Sequence, residues 1–281
     1  MSEFIKVEGV YFSYNSGSDK DFAISNVSFN VLPGEMLCIV GANGSGKSTI
    51  AKMLNGVITP FKGSVVVDGI DSRDLDLVFK IRQNVGLVFQ NPDNQIVATV
   101  VQEDVAFALE NLCVEHNEIG RIVDMALDMV GMRSYKDRLV EGLSGGQKSK
   151  VAIAGVLAMN PKCIVLDEAT AMLDPKSSCE VLNIVKNLNK KNKTTIINIT
   201  HRMQEVAMAD RVIVLNKGVV LAQGSPRDIF LNDCVLQEAG LCLPQVSQFV
   251  KLLHKDGVVN NEIALDVDEC VRILSNLLEG A

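Results

Sequence analysis

The chain of 281 residues, 47% of them hydrophobic, is long enough for one large domain, or one domain with a small appendage, around a sizeable core. Its net charge of -7, from 27 basic against 34 acidic residues, excludes a general electrostatic footprint for nucleic acid. No apolar run reaches the roughly 18 residues of a membrane span, the first residues lack the pattern of a signal peptide, and seven cysteines without any C-x-x-C pair read as reduced thiols, most of them small buried hydrophobes. The chain then opens with strand signals at residues 5–14 and 23–31 around a polar turn, followed by Pro33-Gly34 and a short apolar strand at 36–40.

That strand runs into Gly41-Ala-Asn43-Gly44-Ser45-Gly46-Lys47-Ser48, and a helix-forming stretch from Thr49 to Asn55 follows. The spacing is that of a P-loop, G-x-x-x-x-G-K-[ST], in the strand-to-helix context the motif requires. Its glycines let backbone N–H groups converge on phosphate oxygens, and the helix adds its positive N-terminal end. Lys47 supplies a point charge and Ser48 a hydroxyl for magnesium. Nearby, Tyr11, Phe12 and Tyr14 gather in an aromatic-poor chain. Tyr14 is the first candidate to stack on a base and Tyr11 the competitor, with plain packing as the structural alternative.

Beyond the loop, strands are predicted at 64–68 and 84–90, and the pattern turns helical from Glu103. Ile119, Ile122, Val123, Ala126, Leu127 and Val130 form one amphipathic stripe, and Val181, Leu182, Ile184, Val185 and Leu188 another. Between the stripes lie Ser144-Gly145-Gly146-Gln147, before a helix predicted at 148–159, and a buried strand at 163–166 ending in Asp167-Glu168. A further buried strand, at 194–199, leads to His201, and 211–222 reads as a hairpin about Asn216-Lys217-Gly218. Strands alternating with helices and ending in polar motifs describe an α/β nucleotide-binding fold, with functional residues at the strand ends. Helical segments near 229–231, 246–253 and 267–278 make residues 226–281 an appendage too small for a typical domain.

Ser144 with two glycines at a helix start is a second anion-receiving end. Followed by a buried strand closing in two acids, Leu143-Ser144-Gly145-Gly146-Gln147 resembles the signature motif of ATP-binding cassette (ABC) proteins. The remaining motifs of that family then match in order. Residues 163–168 resemble the Walker B strand, Gln90 the Q-loop glutamine, Ala171-Met172-Leu173-Asp174 the D-loop, and His201 the H-loop histidine. The resemblance covers residues 4–225. It implies a P-loop NTPase of ABC-ATPase fold, residues 1–225, with an antiparallel β subdomain, a helical subdomain at about 91–160, and the small C-terminal helical appendage. It implies ATP and Mg2+ as ligands, with Ser48, Gln90 and Asp167 at the metal and Glu168 polarising the attacking water beside Lys47, Gln90 and His201. Gly41, Asn43, Gly44, Ser45, Gly46, Lys47, Ser48, Thr49 and Tyr14 would bind the nucleotide on one subunit. Ser144, Gly145, Gly146, Gln147 and Asp174 would complete a partner's site.

Residues 85–95 and 102–112 resemble the ATPases of energy-coupling factor (ECF) transporters, which take up vitamins or cobalt and nickel ions. Residues 167–175 resemble one of their two paralogous ATPases. The expected partners are a second ABC ATPase subunit, an integral membrane coupling subunit and a small membrane substrate-binding subunit, with no nucleic acid, at the cytoplasmic face of the membrane. A soluble cassette ATPase of assembly or repair, or the ATPase of another importer class, is the alternative. The apolar run 96–101 is expected either to receive a short helix from a membrane subunit or to lie in the core. Lys148-Ser149-Lys150 and Arg202 with Gln204 depart from the family pattern and put fine coupling in question.

Overall fold

The structure, a computed structural model, describes residues 3–14, 22–260 and 262–279. In chain order its strands are β1 (Ile5–Phe12), β2 (Ile24–Val31), β3 (Met36–Val40), β4 (Lys62–Val67), β5 (Ile70–Asp71), β6 (Val85–Val88), β7 (Cys163–Asp167), β8 (Thr195–Ile199), β9 (Arg211–Asn216) and β10 (Val219–Gly224). The helices are α1 (Lys47–Leu54), α2 (Val78–Asn84), α3 (Val101–Asn111), α4 (His116–Met129), α5 (Gly145–Ala158), α6 (Pro175–Asn192), α7 (Met203–Val206), α8 (Pro226–Leu231), α9 (Asp233–Glu238), α10 (Gln245–Lys255) and α11 (Val267–Glu279).

Two sheets frame the site. One is antiparallel, in the order β2-β1-β4-β5. The other runs β10-β9-β3-β8-β7-β6 and is parallel except for the β9–β10 hairpin. Every residue of β3, β7 and β8 is buried, as uninterrupted apolar runs require when a parallel sheet is covered on both faces. β1 instead alternates, burying Ile5 and Val7 while exposing Lys6 and Glu8. One core cluster joins the two sheets around α1, through residues such as Leu37, Ile50, Leu54, Val65 and Ile197. A second lies between the parallel sheet and α3 to α6, around Val105, Leu127, Val151 and Ile164.

The parallel order places the C-terminal ends of β3, β8, β7 and β6 side by side, the edge at which open α/β sheets bind ligands. The phosphate loop, His201, Asp167-Glu168 and Gln90 follow those four ends respectively. In the appendage, Ile229 and Phe230 of α8 and Val235 and Leu236 of α9 share a cluster with Cys38, Val212 and Val214 of the sheet. α10 and α11 enclose a smaller one about Val250, Ala264 and Cys270.

Several expectations change in detail. α1 starts at Lys47, directly after its left-handed N-cap Gly46, and α5 at Gly145, both earlier than their sequences suggest because glycine stands at the N-cap of one and in the first turn of the other. α2, α9 and β5 are too short to carry a period and were not expected. All seven cysteines are free, but only Cys38, Cys163 and Cys270 are buried; Cys113, Cys179, Cys234 and Cys242 are exposed, so most are not core residues. Asn216 to Gly218 do form the hairpin turn, with Lys217 at φ 46° and Gly218 at φ 78°, the two consecutive positive values of a type I′ turn.

Candidate active site

The phosphate loop is built by close backbone approach. A Cβ on Gly41 would lie 2.1 Å from the Leu215 carbonyl oxygen, and one on Gly46 (φ 102°) 2.7 Å from that of Ala23. Only glycine fits at either place. Behind the loop, the tip of the β9–β10 hairpin closes on it: Gly218 N donates to Ser45 O at 3.1 Å, and its own carbonyl accepts from Ser25 N at 2.8 Å. Lys47 is 5% exposed, with Nζ donating to Gly41 O at 2.9 Å and Ala42 O at 3.0 Å and standing 3.9 Å from Glu168 Oε1. Burial lowers its pKa, opposed by Glu168 and Asp167.

Next to the loop the sheet end delivers both acids. Asp167 Oδ1 accepts from Ser48 Oγ at 3.0 Å, and burial raises its pKa against the pull of that bond. Glu168 adopts φ 49°, a left-handed conformation that a side-chain-bearing residue holds only when its surroundings impose it. Its N–H donates to Ile199 O at 2.9 Å. Its Oε2 accepts from Gln90 Nε2 at 2.8 Å and lies 3.6 Å from His201 Nδ1. The two acids thus hold different partners, one the loop serine and the other the polar groups of neighbouring strand ends.

These groups enclose a cleft of about 520 Å³, with Asn43, Gly44, Gly46, Lys47, Ser48 and Thr49 along one side and Gln90, Glu168 and His201 along another. Tyr14 stands at its mouth, 58% exposed, its hydroxyl 3.2 Å from Thr49 Oγ1 and its ring edge-on to Phe12. Tyr11 packs edge-on to Phe22 beneath Lys62 and does not line the cleft. Gly41 and Ser45 do not line it either; Ser45 is buried with its hydroxyl under Gly41. Ala23, which sequence reasoning did not single out, and Ala171, read there only as the first residue of the D-loop segment, complete the lining. Neither alanine carries chemistry that a sequence reading would flag.

A glycine-lined loop, a buried lysine and the Ser48–Asp167 oxygen pair fit a magnesium nucleotide. Hard oxygen donors suit Mg2+, which is commonly held by one or two carboxylates together with substrate phosphates. No group of three or more His, Cys, Asp or Glu is placed to hold a metal among the described residues.

Ser144, Gly145, Gly146, Gln147 and Asp174 lie outside this cleft. Ser144 caps α5 reciprocally with Gln147: Ser144 Oγ accepts from Gln147 N at 3.3 Å and Gln147 Oε1 from Ser144 N at 3.0 Å. Asp174 caps α6, accepting from the N–H groups of Lys176 and Ser177; hydrogen bonds from the Ser177 side chain and then the backbone lower its pKa. The departures from the family pattern find partners. Lys148 Nζ donates to Asp93 at 2.7 Å, Lys150 Nζ to Glu180 at 3.1 Å, and Arg202 Nη1 to Ser178 Oγ at 3.0 Å.

A phosphate loop and a paired acid converging at one sheet edge, with a capped Ser-Gly-Gly-Gln helix start apart from them, define a nucleotide-hydrolysing cassette. The sequence model of the ABC transporter family matches residues 24–171, and the chain belongs to that family. It is 47% identical over 277 residues to the energy-coupling factor transporter ATP-binding protein EcfA1 of Clostridioides difficile, covering 99% of this chain and 100% of that protein. With the protein of the same name from Clostridium perfringens strain 13 it shares 48% over 275 residues, or 97% and 98% of the two chains. Among solved structures it resembles cbiO1 from Clostridium perfringens, part of the ABC transporter complex cbiONQ. The TM-score is 0.74 at 36% identity, over 89% of this chain and 100% of that one. A dimeric post-hydrolysis state of the cassette MJ0796 bound to ADP and Pi matches with a TM-score of 0.74 at 31% identity, over 79% and 99%. The chain is an ATPase of the ABC family.

Proposed function

We propose that this ATPase powers uptake of a vitamin or transition-metal ion as a subunit of an ECF importer, working as a dimer with a paralogous ATPase. The reading rests on near-full-length similarity to EcfA1 proteins. In it, backbone N–H groups of the loop and Lys47 hold the triphosphate, and Tyr14 stacks on adenine. Ser48 and Asp167, with Gln90, would hold magnesium, which supplies charge neutralisation on the phosphates. Glu168 accepts the proton of the attacking water. Gln90 holds its carboxylate, and His201 stands beside it to orient the water. Ser144 to Gln147 and Asp174, standing off the cleft, serve the partner's nucleotide, and the partner's equivalents serve this one.

A groove of about 460 Å³ between β6, α3 and α5 supports a docking role for the 96–101 segment. Within that run Val97 is 62% exposed beside Phe107, whereas Val101 is fully buried and Ile96 packs against the helical core. The two expectations for the segment therefore divide along it. No helix among the described residues is long and apolar enough to cross a membrane, so attachment to the cytoplasmic face runs through the partners. Purification from membranes through a tag on this chain, with mass spectrometry, tests the whole reading. An integral coupling subunit, a small substrate-binding membrane protein and a second ATPase should be recovered; soluble partners alone would overturn it in favour of assembly or repair.

A further inference from the structure

Behind the cleft lies a buried carboxylate that none of these roles uses. Glu205, on α7, is 4% exposed. Its Oε1 accepts from Thr170 Oγ1 at 2.7 Å and its Oε2 from Asn198 Nδ2 at 3.0 Å, both bonds buried. Arg202 Nη1 stands 3.9 Å from Oε1 while donating to Ser178 Oγ.

Each of these neighbours adjoins a piece of the site. Thr170 lies in the turn after Glu168, and Asn198 lies on β8, the strand that leads to His201. Arg202 follows His201 directly, and Ser178 lies in the first turn of α6, the helix capped by Asp174. An ionised group held away from water is costly unless it is paired and hydrogen-bonded, and an apolar side chain would fill the same space more cheaply. What the carboxylate adds is direction, because it ties the turn after Glu168 to β8 through two fixed bonds.

We propose that Glu205, steadied by Arg202, is a positioning residue that sets Glu168 against His201 and links both to the first turn of α6. The need is visible in the geometry. Glu168 holds a left-handed backbone, and its N–H bond to Ile199 fixes the main chain alone. His201 is more than half exposed, and its Nδ1 is 3.6 Å from Glu168 Oε2, beyond hydrogen-bonding distance. Their separation is therefore set by the scaffold behind them. Thr170 and Asn198 are the points at which Glu205 grips the two elements.

The inference rests on the assignment of Glu168 and His201 to hydrolysis, and the test separates the two claims. In the membrane-purified complex, Glu205→Leu removes both acceptors. Glu205→Gln keeps an oxygen for Thr170 and, with the Asn198 amide turned over, a donor for its oxygen. The Leu variant should lower kcat at least about tenfold with KM for ATP within about twofold, and the Gln variant should recover to within about threefold of wild type. Wild-type kcat in the Leu variant, an equal fall in both variants, or a KM that rises in step with the loss would overturn the proposal. Should the Leu variant fail to fold, Thr170→Val removes one grip alone: a fall in kcat at unchanged KM supports the proposal, and no change overturns it. Glu168→Gln is measured alongside. Near-normal turnover by it defeats the base assignment itself, whereas a dead Glu168→Gln beside a fully active Glu205→Leu defeats only the inference.

Discussion

Replacing Glu168 by Gln exchanges one oxygen for an NH2 group in a side chain that is 10% exposed. The two side chains have the same size, and Gln at φ 49° bears the same backbone cost, so the fold is kept. The amide oxygen takes the place of Oε2, where Gln90 donates at 2.8 Å, which puts the NH2 where Oε1 now stands, 3.9 Å from Lys47 Nζ. Two charges at that separation attract by about 4 kcal/mol at an effective dielectric of 20. Desolvation of the carboxylate offsets part of this, and Lys47 keeps Asp167 as its remaining acidic neighbour. The kinetic effect is separate. An amide cannot take the proton of the attacking water, and loss of a positioned base costs about 10²- to 10⁴-fold, or roughly 2.7 to 5.4 kcal/mol in the barrier. All of it should fall on kcat, because the phosphate loop is untouched. Phosphate release by the purified complex, with a fluorescent ATP analogue to follow binding, measures both quantities. A kcat within about tenfold of wild type, or a parallel loss of affinity, would refute the reasoning.

Other outcomes follow from the same geometry. Gly46→Ala drives a Cβ against the Ala23 carbonyl and Ile24 at φ 102°, and should cost about 2 to 4 kcal/mol in thermal unfolding together with most ATP affinity. Burial raises the Asp167 pKa above its ordinary 3.8, so its contribution to stability is fully present below that pH and is lost as pH rises through the raised value. In metal-free buffer Asp167→Asn should therefore melt above wild type at neutral pH, with the gap closing toward pH 3.8, while turnover with magnesium-ATP is lost. A gap independent of pH would contradict this account. Tyr14→Ala should weaken ATP binding about 10- to 100-fold, and Tyr14→Phe, which loses only the bond to Thr49, about threefold or less, by nucleotide titration. Val97→Asp should release the membrane subunits on purification while ATP binding persists; their retention by a folded variant would remove Val97 from the docking surface.

The parts of the molecule legible in the sequence are those whose residues are consecutive. β3, β7 and β8 are written as unbroken apolar runs because a parallel sheet buries both faces, and the phosphate loop keeps its chemistry within eight positions, Gly41 to Ser48. The start of α5 was hidden because a capping box acts through Ser144 and Gln147 while the residues between them are poor helix formers. Tyr14 could be placed ahead of Tyr11 only by its nearness to the loop, since the alternation of β1 ends at Phe12 and the side Tyr14 faces is decided by Thr49, far along the chain. The Thr170–Glu205–Asn198 cross-link escaped for the same reason: its three members sit on different elements, and each alone looks like an ordinary polar residue.

The hairpin tip at Gly218 has a bearing on how nucleotide energy is used. Because its backbone bonds to Ser45 and Ser25 brace the phosphate loop from behind, the loop is already shaped before a triphosphate arrives. A receptor formed in advance loses little conformational freedom on binding. On the proposed reading, the affinity for ATP would then be largely free for a second task, drawing the Ser144 face of another subunit over the mouth of the cleft, and the stiffness of a two-stranded ribbon would become part of the power stroke.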